Sequence, residues 1–277
     1  MKIAVLSGKG GAGKTFVSVN LAVAAEKSTY IDCDVEEPNG HLFFKPDNIK
    51  EKTVSTYIPD FDENKCNGCR ECVDFCHFNA LVYIKNKPKV FPEVCHFCGG
   101  CKLVCPTKAV SYKERPVGIM QVGTHNDINV VTGILNTGEA SAIPVIKEIL
   151  EKGQNSEVVI IDSPPGSACS VMESISDADY CVLVAEPTSF GFHNFKMVHE
   201  LVTIMNKKCG VIINKSDDEY SPLIEYCKEE NVPVLLEIPY NEDIARENAR
   251  GNIASEVSEN IKDSFKNVLS DIRKQVE

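Results

Sequence analysis

A chain of 277 residues with 43% hydrophobic content is long enough for one large α/β core plus a small extra module, and too apolar to be disordered. Its net charge of -11 argues against a nucleic-acid partner, no apolar run approaches the roughly 18 residues of a membrane span, and the start leads straight into a strand instead of a signal peptide. The expected location is therefore cytoplasmic, where thirteen cysteines point to metal binding and not to a disulfide framework.

In chain order, the apolar run Ile3-Ala4-Val5-Leu6 reads as a buried strand, and residues 16–25 suit a helix packed on a sheet. Between them lies Gly8-Lys9-Gly10-Gly11-Ala12-Gly13-Lys14-Thr15, a phosphate-binding loop in strand-to-helix context, with Phe16 the next residue of the nucleotide-binding stretch. Its glycines let successive N–H groups and the helix N-terminus approach a phosphate chain. Lys14 then reaches the β and γ phosphates, and Thr15 places its hydroxyl on Mg²⁺. Residues 29–34 form a second strand ending in Asp32 and Asp34. The carboxyl ends of strands in an open α/β sheet face the ligand crevice, which puts both carboxylates where Mg²⁺ and an attacking water belong.

From residue 59 to 116 the texture changes to short, Cys-rich sequence with little helical period, an insertion between residues 1–58 and 117–277. It contains Cys66-x₂-Cys69-x₂-Cys72-x₃-Cys76 and Cys95-x₂-Cys98-x₂-Cys101-x₃-Cys105-Pro106, two copies of the bacterial ferredoxin run. In that pattern three closely spaced cysteines wrap one cubane and the fourth reaches the other. One 4Fe–4S cluster is expected on Cys66, Cys69, Cys72 and Cys105, and the other on Cys95, Cys98, Cys101 and Cys76. A zinc ribbon is the alternative, but zinc takes pairs of cysteines at longer separations. His77 stands where proline usually follows the fourth cysteine, which alters the surroundings of the second cluster without removing a ligand.

Residues 117–122 and 128–131 flank His125-Asn126-Asp127 and suggest a hairpin, followed by Gly133 to Glu139 and a helix over 142–151, where Glu139 makes a favourable dipole contact. Next, Val158-Val159-Ile160-Ile161-Asp162 is a buried strand closed by a carboxylate that orients Mg²⁺ through its water shell, the Walker B arrangement. Cys33, Cys181, Cys209 and Cys227 sit in apolar patterns and read as core, the commonest place for Cys169 as well. The last third alternates strands (180–185, 210–213, 234–238) with helices (192–205, 222–229, 244–250), the rhythm of a parallel sheet covered on both faces. A final helix carries an apolar stripe at Val257, Ile261, Phe265, Val268, Ile272 and Val276.

The second lysine of the loop, Lys9, makes the chain resemble the deviant P-loop ATPases: MinD, ParA, the Mrp iron–sulfur carriers and the nitrogenase iron protein. The resemblance implies that Lys9 crosses a dimer interface to the partner's nucleotide, the partner being an identical chain or a paralogue. It also implies that Asp34 aids hydrolysis, with Asn39 in the same switch segment, and that Asn214-Lys215 and Pro239-Tyr240 meet the adenine. Cys169 follows Asp162 at the spacing of a cluster cysteine in the nitrogenase iron protein, but no second such cysteine is found. MinD ends in a basic membrane anchor, whereas residues 256–277 hold four basic and five acidic side chains.

The expected fold is thus α/β, a mainly parallel doubly wound P-loop NTPase sheet with an inserted small α+β ferredoxin domain. The expected function is slow, partner-dependent Mg-ATP hydrolysis by a dimer that gates electron transfer from the clusters to a redox partner. Alternatives are a carrier that hands a cluster to an accepting protein and a redox-sensing partitioning ATPase; the acidic charge and the missing anchor count against the last. Lys9, Lys14, Asp34 and Asp162 would carry the phosphate chemistry.

Overall fold

The computed structural model describes residues 1–153, 156–216 and 221–276. The first part of the chain forms β1 (Lys2–Leu6), α1 (Lys14–Ala24), β2 (Thr29–Asp32), α2 (Gly40–Phe44) and the long β3 (Asp47–Phe61). The cysteine-rich stretch follows with α3 (Glu71–Phe75), the hairpin β4 (Leu81–Ile84) and β5 (Lys87–Val90), and α4 (Gly100–Leu103). The chain returns through β6 (Val110–His125), β7 (Ile128–Leu135), α5 (Ile143–Leu150), β8 (Val159–Asp162), α6 (Cys169–Ile175), β9 (Tyr180–Ala185) and α7 (Ser189–Ile204). It ends with β10 (Cys209–Ser216), α8 (Ser221–Glu229), β11 (Val234–Pro239), α9 (Glu242–Ala249), α10 (Ala254–Val257) and α11 (Glu259–Val276).

Among the described residues one sheet takes nine strands in the order β11-β10-β9-β1-β8-β2-β7-β6-β3. It is parallel from β11 to β7 and antiparallel across β7, β6 and β3. Apart from Lys2 at the start of β1 and Asp162 at the end of β8, the strands β1, β8 and β9 are apolar or nearly so, because helices cover both faces. Ile3 and Val5 point into one core layer with α1 and α11, where Phe16 meets Phe265 edge-on. Ala4 and Leu6 point into the other, with α5, α6 and α7. The alternation of the strand thus builds both cores at once.

The β3–β6 ladder runs from Asp47 opposite Thr124 to Phe61 opposite Val110. The composition boundaries at 59 and 116 fall inside these strands, because the ribbon continues past the point where the cysteines set the texture. Val54 packs into the main core and Ile58 into a small core with Ala80 and Cys95. The cysteine-rich stretch, residues 62–109, hangs from the ribbon's far end. Its two halves repeat their backbone: Gly68 and Phe97 (φ +74° and +55°), Arg70 and Gly99 (+72° and +76°), Asn79 and Lys108 (+52° and +54°) are left-handed in pairs. Tyr83 and Tyr112 also correspond, and each donates to a carbonyl of its own loop, Gly68 and Gly99, two positions apart in the repeat.

One expected element is corrected. The last helix is broken at Ser258, which is extended, so Val257 ends α10 and is 59% exposed. The rest of the stripe holds, with Phe265, Val268 and Ile272 buried. No described helix is long and apolar enough to cross a membrane.

Candidate functional site

The loop between β1 and α1 lies at the carboxyl ends of the central strands. Gly11 and Gly13 have φ of +84° and +95°, and a Cβ at Gly13 would stand 2.1 Å from the amide nitrogen of Asn214. Only glycine satisfies both constraints there. No side chain caps α1, which leaves its first N–H groups to an anion. Thr15 follows Lys14 in that first turn, half-buried.

Lys14 is buried, and its Nζ lies 2.6 Å from Oδ1 of Asp162 and 3.9 Å from Oδ2 of Asp34. The hydroxyl of Tyr30 donates to Oδ2 of Asp162 at 2.9 Å. Asp32 accepts from the backbone of Asp34, Asn39 and Gly40, so it holds the segment after β2 together instead of facing outward. Burial pulls the Lys14 ammonium down, but Asp162, Asp32 and Asp34 together hold its pKa above the ordinary value. Burial and the Asp162 charge push Asp32 up to about 7, against the pull of Lys14. Burial likewise raises Asp34 to about 6, with Lys14 again opposing. Lys14 is thus a buried cation among three carboxylates, two of them raised by burial.

Lys9 is held within its own chain: its Nζ lies 2.6 Å from Glu186 and 5.1 Å from the ring centre of Phe190. The same carboxylate takes Lys215 at 2.6 Å, and Lys215 also donates to the carbonyl of Gly11 at 3.2 Å. Burial pushes Glu186 up, but the two lysines keep it below the usual carboxylate value. Asn214 donates to the carbonyl of Ala12 at 2.9 Å, so its amide nitrogen is committed to the loop. Beside it a cavity of about 200 Å³ is lined by Gly13, Phe16, Asn214, Pro239 and Tyr240, with one side of α9.

The eight cysteines of the two runs gather around two cavities. Cys66, Cys69, Cys72 and Cys105 line one, and Cys76, Cys95, Cys98 and Cys101 the other. Among the described residues no three of His, Cys, Asp or Glu stand close enough to grip a single ion. Four thiols around a cavity are the donor set of a cluster in which each iron takes one thiolate. Burial and neighbouring thiols push Cys72 up to about 11, so ligation there releases a proton. His77 and Phe78 also line the second cavity, and Phe78 stacks on His96 at 4.0 Å. Cys169, the first residue of α6, is exposed. Cys33, Cys181 and Cys227 are buried, but Cys209 only partly.

A continuous set of contacts joins the two regions. Leu135 donates to the carbonyl of Val35 at 2.8 Å, next to Asp34, and Asn136 donates to the carbonyl of Val117 at 2.9 Å. Two residues before Val117, Arg115 forms a two-pronged pair with Glu139 at 2.6 and 2.7 Å, and its Nη2, one of the two prongs, also lies 4.0 Å from Glu93. Glu139 therefore binds an arginine on the ribbon, where sequence suggested a helix-dipole contact.

Sequence reasoning missed Tyr30, Glu186 and Arg115. Glu186 was discoverable, because it closes an apolar strand as Asp32 and Asp162 do. Tyr30 and Arg115 carry no local signal, since their partners lie far away in the chain.

Residues 3–254 match the CobQ/CobB/MinD/ParA nucleotide-binding domain. The chain is 29% identical over 221 residues to an uncharacterized protein of Methanocaldococcus jannaschii, covering 78% of this chain and 80% of that one. It is 38% identical over 96 residues to an iron–sulfur cluster carrier protein of Pyrococcus furiosus, covering 33% of this chain and 31% of the carrier. Its fold is that of the septum site-determining protein MinD of Pyrococcus horikoshii, solved with Mg-ADP, at a TM-score of 0.63 and 17% identity over 99% of this chain and 96% of that one.

Proposed function

The chain belongs to the CobQ/CobB/MinD/ParA nucleotide-binding family and is a P-loop ATPase, and from that membership we propose that it is a nucleotide-gated electron-transfer protein acting as a dimer. Residues 1–58 and 117–277 would form the ATPase body, and 59–116 a ferredoxin-like domain with two 4Fe–4S clusters. The clusters, when bound, would supply single electrons to a protein acceptor.

In this reading Lys14 and the loop amides hold the phosphates, Thr15 offers its hydroxyl to Mg²⁺, and Asp162 orients the ion through water. Asp34 would position the attacking water. Lys9 would leave Glu186 to reach the nucleotide of a second copy or a paralogue. The observation that carries the proposal is the contact set from Asp34 through Val35, Leu135 and Asn136 to the ribbon at Val117. A switch segment responding to the γ phosphate would pull directly on the strand that bears the cysteine cavities.

The second reading, a cluster carrier, is favoured by the similarity to the Pyrococcus carrier and by the exposure of Cys169. The two separate in stopped-flow reoxidation of the dithionite-reduced protein by an oxidised small ferredoxin, with Mg-ATP, with Mg-ADP and without nucleotide. Gating predicts that ATP shifts the rate about tenfold, the effect of about 1.4 kcal/mol of differential affinity for two states. Lys9→Ala should bind ATP yet lose the shift. Equal rates in all three conditions, with iron passing to an apo-ferredoxin, would establish the carrier reading instead.

A further inference from the structure

The two cysteine cavities differ in how they meet the body. Phe97, between Cys95 and Cys98 of the second run, packs against both the small core of Ile58 and the main core that includes Val54 and Val117. Gly68, its counterpart in the first run, has no side chain to do so. The cations differ in the same way. In the first half Lys87 donates to the carbonyls of Glu63 and Cys66 at 2.6 and 3.0 Å, so its partners lie within the cysteine-rich stretch. In the second half the guanidinium of Arg115 lies 4.0 Å from Glu93, two residues before Cys95. Burial pushes the Cys95 thiol above its ordinary value, and the positive charge of Arg115 is among the influences that pull it back. Arg115 is also held from the body, by both carboxylate oxygens of Glu139, whose side chain is only 5% exposed. The N–H of Glu139 donates to the carbonyl of Asn136 at 3.3 Å, and Leu135, one residue earlier, is bonded to Val35 beside Asp34.

The guanidinium thus stands between two carboxylates, Glu139 on the body side and Glu93 on the cysteine side. Held on Glu139, its charge is neutralised in a rigid, two-pronged pair. Moved toward Glu93, the same charge comes closer to Cys95, and a cation nearer a cluster favours its reduced form and raises its potential. We propose that the Arg115–Glu139 pair makes the second cluster, on Cys76, Cys95, Cys98 and Cys101, the one that senses nucleotide: filling the phosphate site displaces the loop that bears Glu139, shifts Arg115 toward Glu93 and raises the potential of that cluster alone. This rests on the reading of the cysteine runs as cluster sites gated by ATP. Arg115 and Glu139 are positioning residues, since neither is a ligand.

The test is a redox titration of the anaerobically purified full chain followed by electron paramagnetic resonance, with and without Mg-ATP. The signal of the second cluster is identified by its change in Cys98→Ser, at an exposed cysteine of that cavity. In the wild type Mg-ATP should raise the reduced-to-oxidised ratio of the second cluster about tenfold at a fixed potential, or about 59 mV for one electron, and leave the first unmoved. Glu139→Gln removes the charge that neutralises Arg115, so it should give the same rise without nucleotide and leave Mg-ATP little to add. Arg115→Gln in that background should take the rise away, which a loss of packing alone would not do. The wild-type comparison needs no variant and so survives a folding defect. If Glu139→Gln leaves the second potential where it was, or if Mg-ATP changes the reoxidation rate while both potentials stay fixed or move together, the role of the pair is wrong although gating stands. If no paramagnetic signal appears after dithionite, the cysteines hold no such clusters and the underlying reading itself fails.

Discussion

The nucleotide loop and the cysteine cavities, joined by one ribbon, are stabilised in opposite ways. Around the loop the charged groups already satisfy one another: Lys14 with Asp162, Lys9 and Lys215 with Glu186, all resting on two continuous apolar layers. Residues 62–109 bury few apolar side chains, with Ala80 and Cys95 packed on Ile58 of β3 and Leu81 and Ala109 nearby in sequence, and four thiols line each cavity. A segment that small seldom buries enough apolar surface to fold unaided. The body should therefore stand on hydrophobic burial, whereas the cysteine region should draw its stability from whatever its thiols bind.

The strongest way to break this comparison is to remove the metal. The anaerobically purified protein should carry about eight irons, and chelating them should abolish amide protection across residues 62–109 while leaving β1, β8 and β9 protected. Stoichiometric zinc in place of iron, or equal loss of protection in the body, would refute it by hydrogen exchange and metal analysis.

A smaller effect is expected from the opposite side. Lys14→Ala leaves Asp162 and Asp32 buried beside each other without their cation, which should cost the body about 3 kcal/mol in denaturant melts. It should also lower ATP hydrolysis by roughly a hundredfold or more. The visible absorbance of the iron centres should be unchanged, because no cysteine cavity includes a residue of the loop.

The smallest effect is one of pH. Asp34 stands at about 6 and Asp32 at about 7 in the folded chain, above the roughly 3.9 of an unfolded aspartate. Between these values the native state binds more protons than the unfolded one. Their contribution is thus fullest below about pH 4 and is lost as pH rises to about 7. Without nucleotide, Asp34→Asn should gain thermal stability relative to wild type as pH rises from about 5 to 7, and a constant difference would show that the carboxylate is not raised.

Much of this was legible in the sequence, for a physical reason. Apolar runs such as residues 3–6 and 158–162 are buried on both faces, so their identity as strands does not depend on distant partners. The loop and the cysteine runs are local patterns whose chemistry fixes their spacing. β3 was invisible because its first seven residues are exposed and charged on both faces, which reads like a loop until β6 pairs with it. The break at Ser258 was hidden because Val257 continues the apolar period while facing solvent. The grip of Glu186 on Lys9 and of Arg115 on Glu139 joins separate elements, and spacing alone cannot reveal such pairs.

The pairing of Phe61 with Val110 has a consequence for how the protein matures. The chain leaves the ribbon and re-enters it at adjacent positions, so whether or not the intervening residues are folded, the ribbon's two strands meet at the same point. Closing an unstructured loop of that length costs about 3 kcal/mol, and the cost grows only slowly with length, about 0.6 kcal/mol for each doubling, so the paired strands can offset it. If the cysteines hold clusters as proposed, synthesis would finish the sheet first and load iron and sulfide afterwards, and folded, nucleotide-binding chains would await their metal. The chelated protein should regain its iron–sulfur absorbance on reconstitution without passing through an unfolded state.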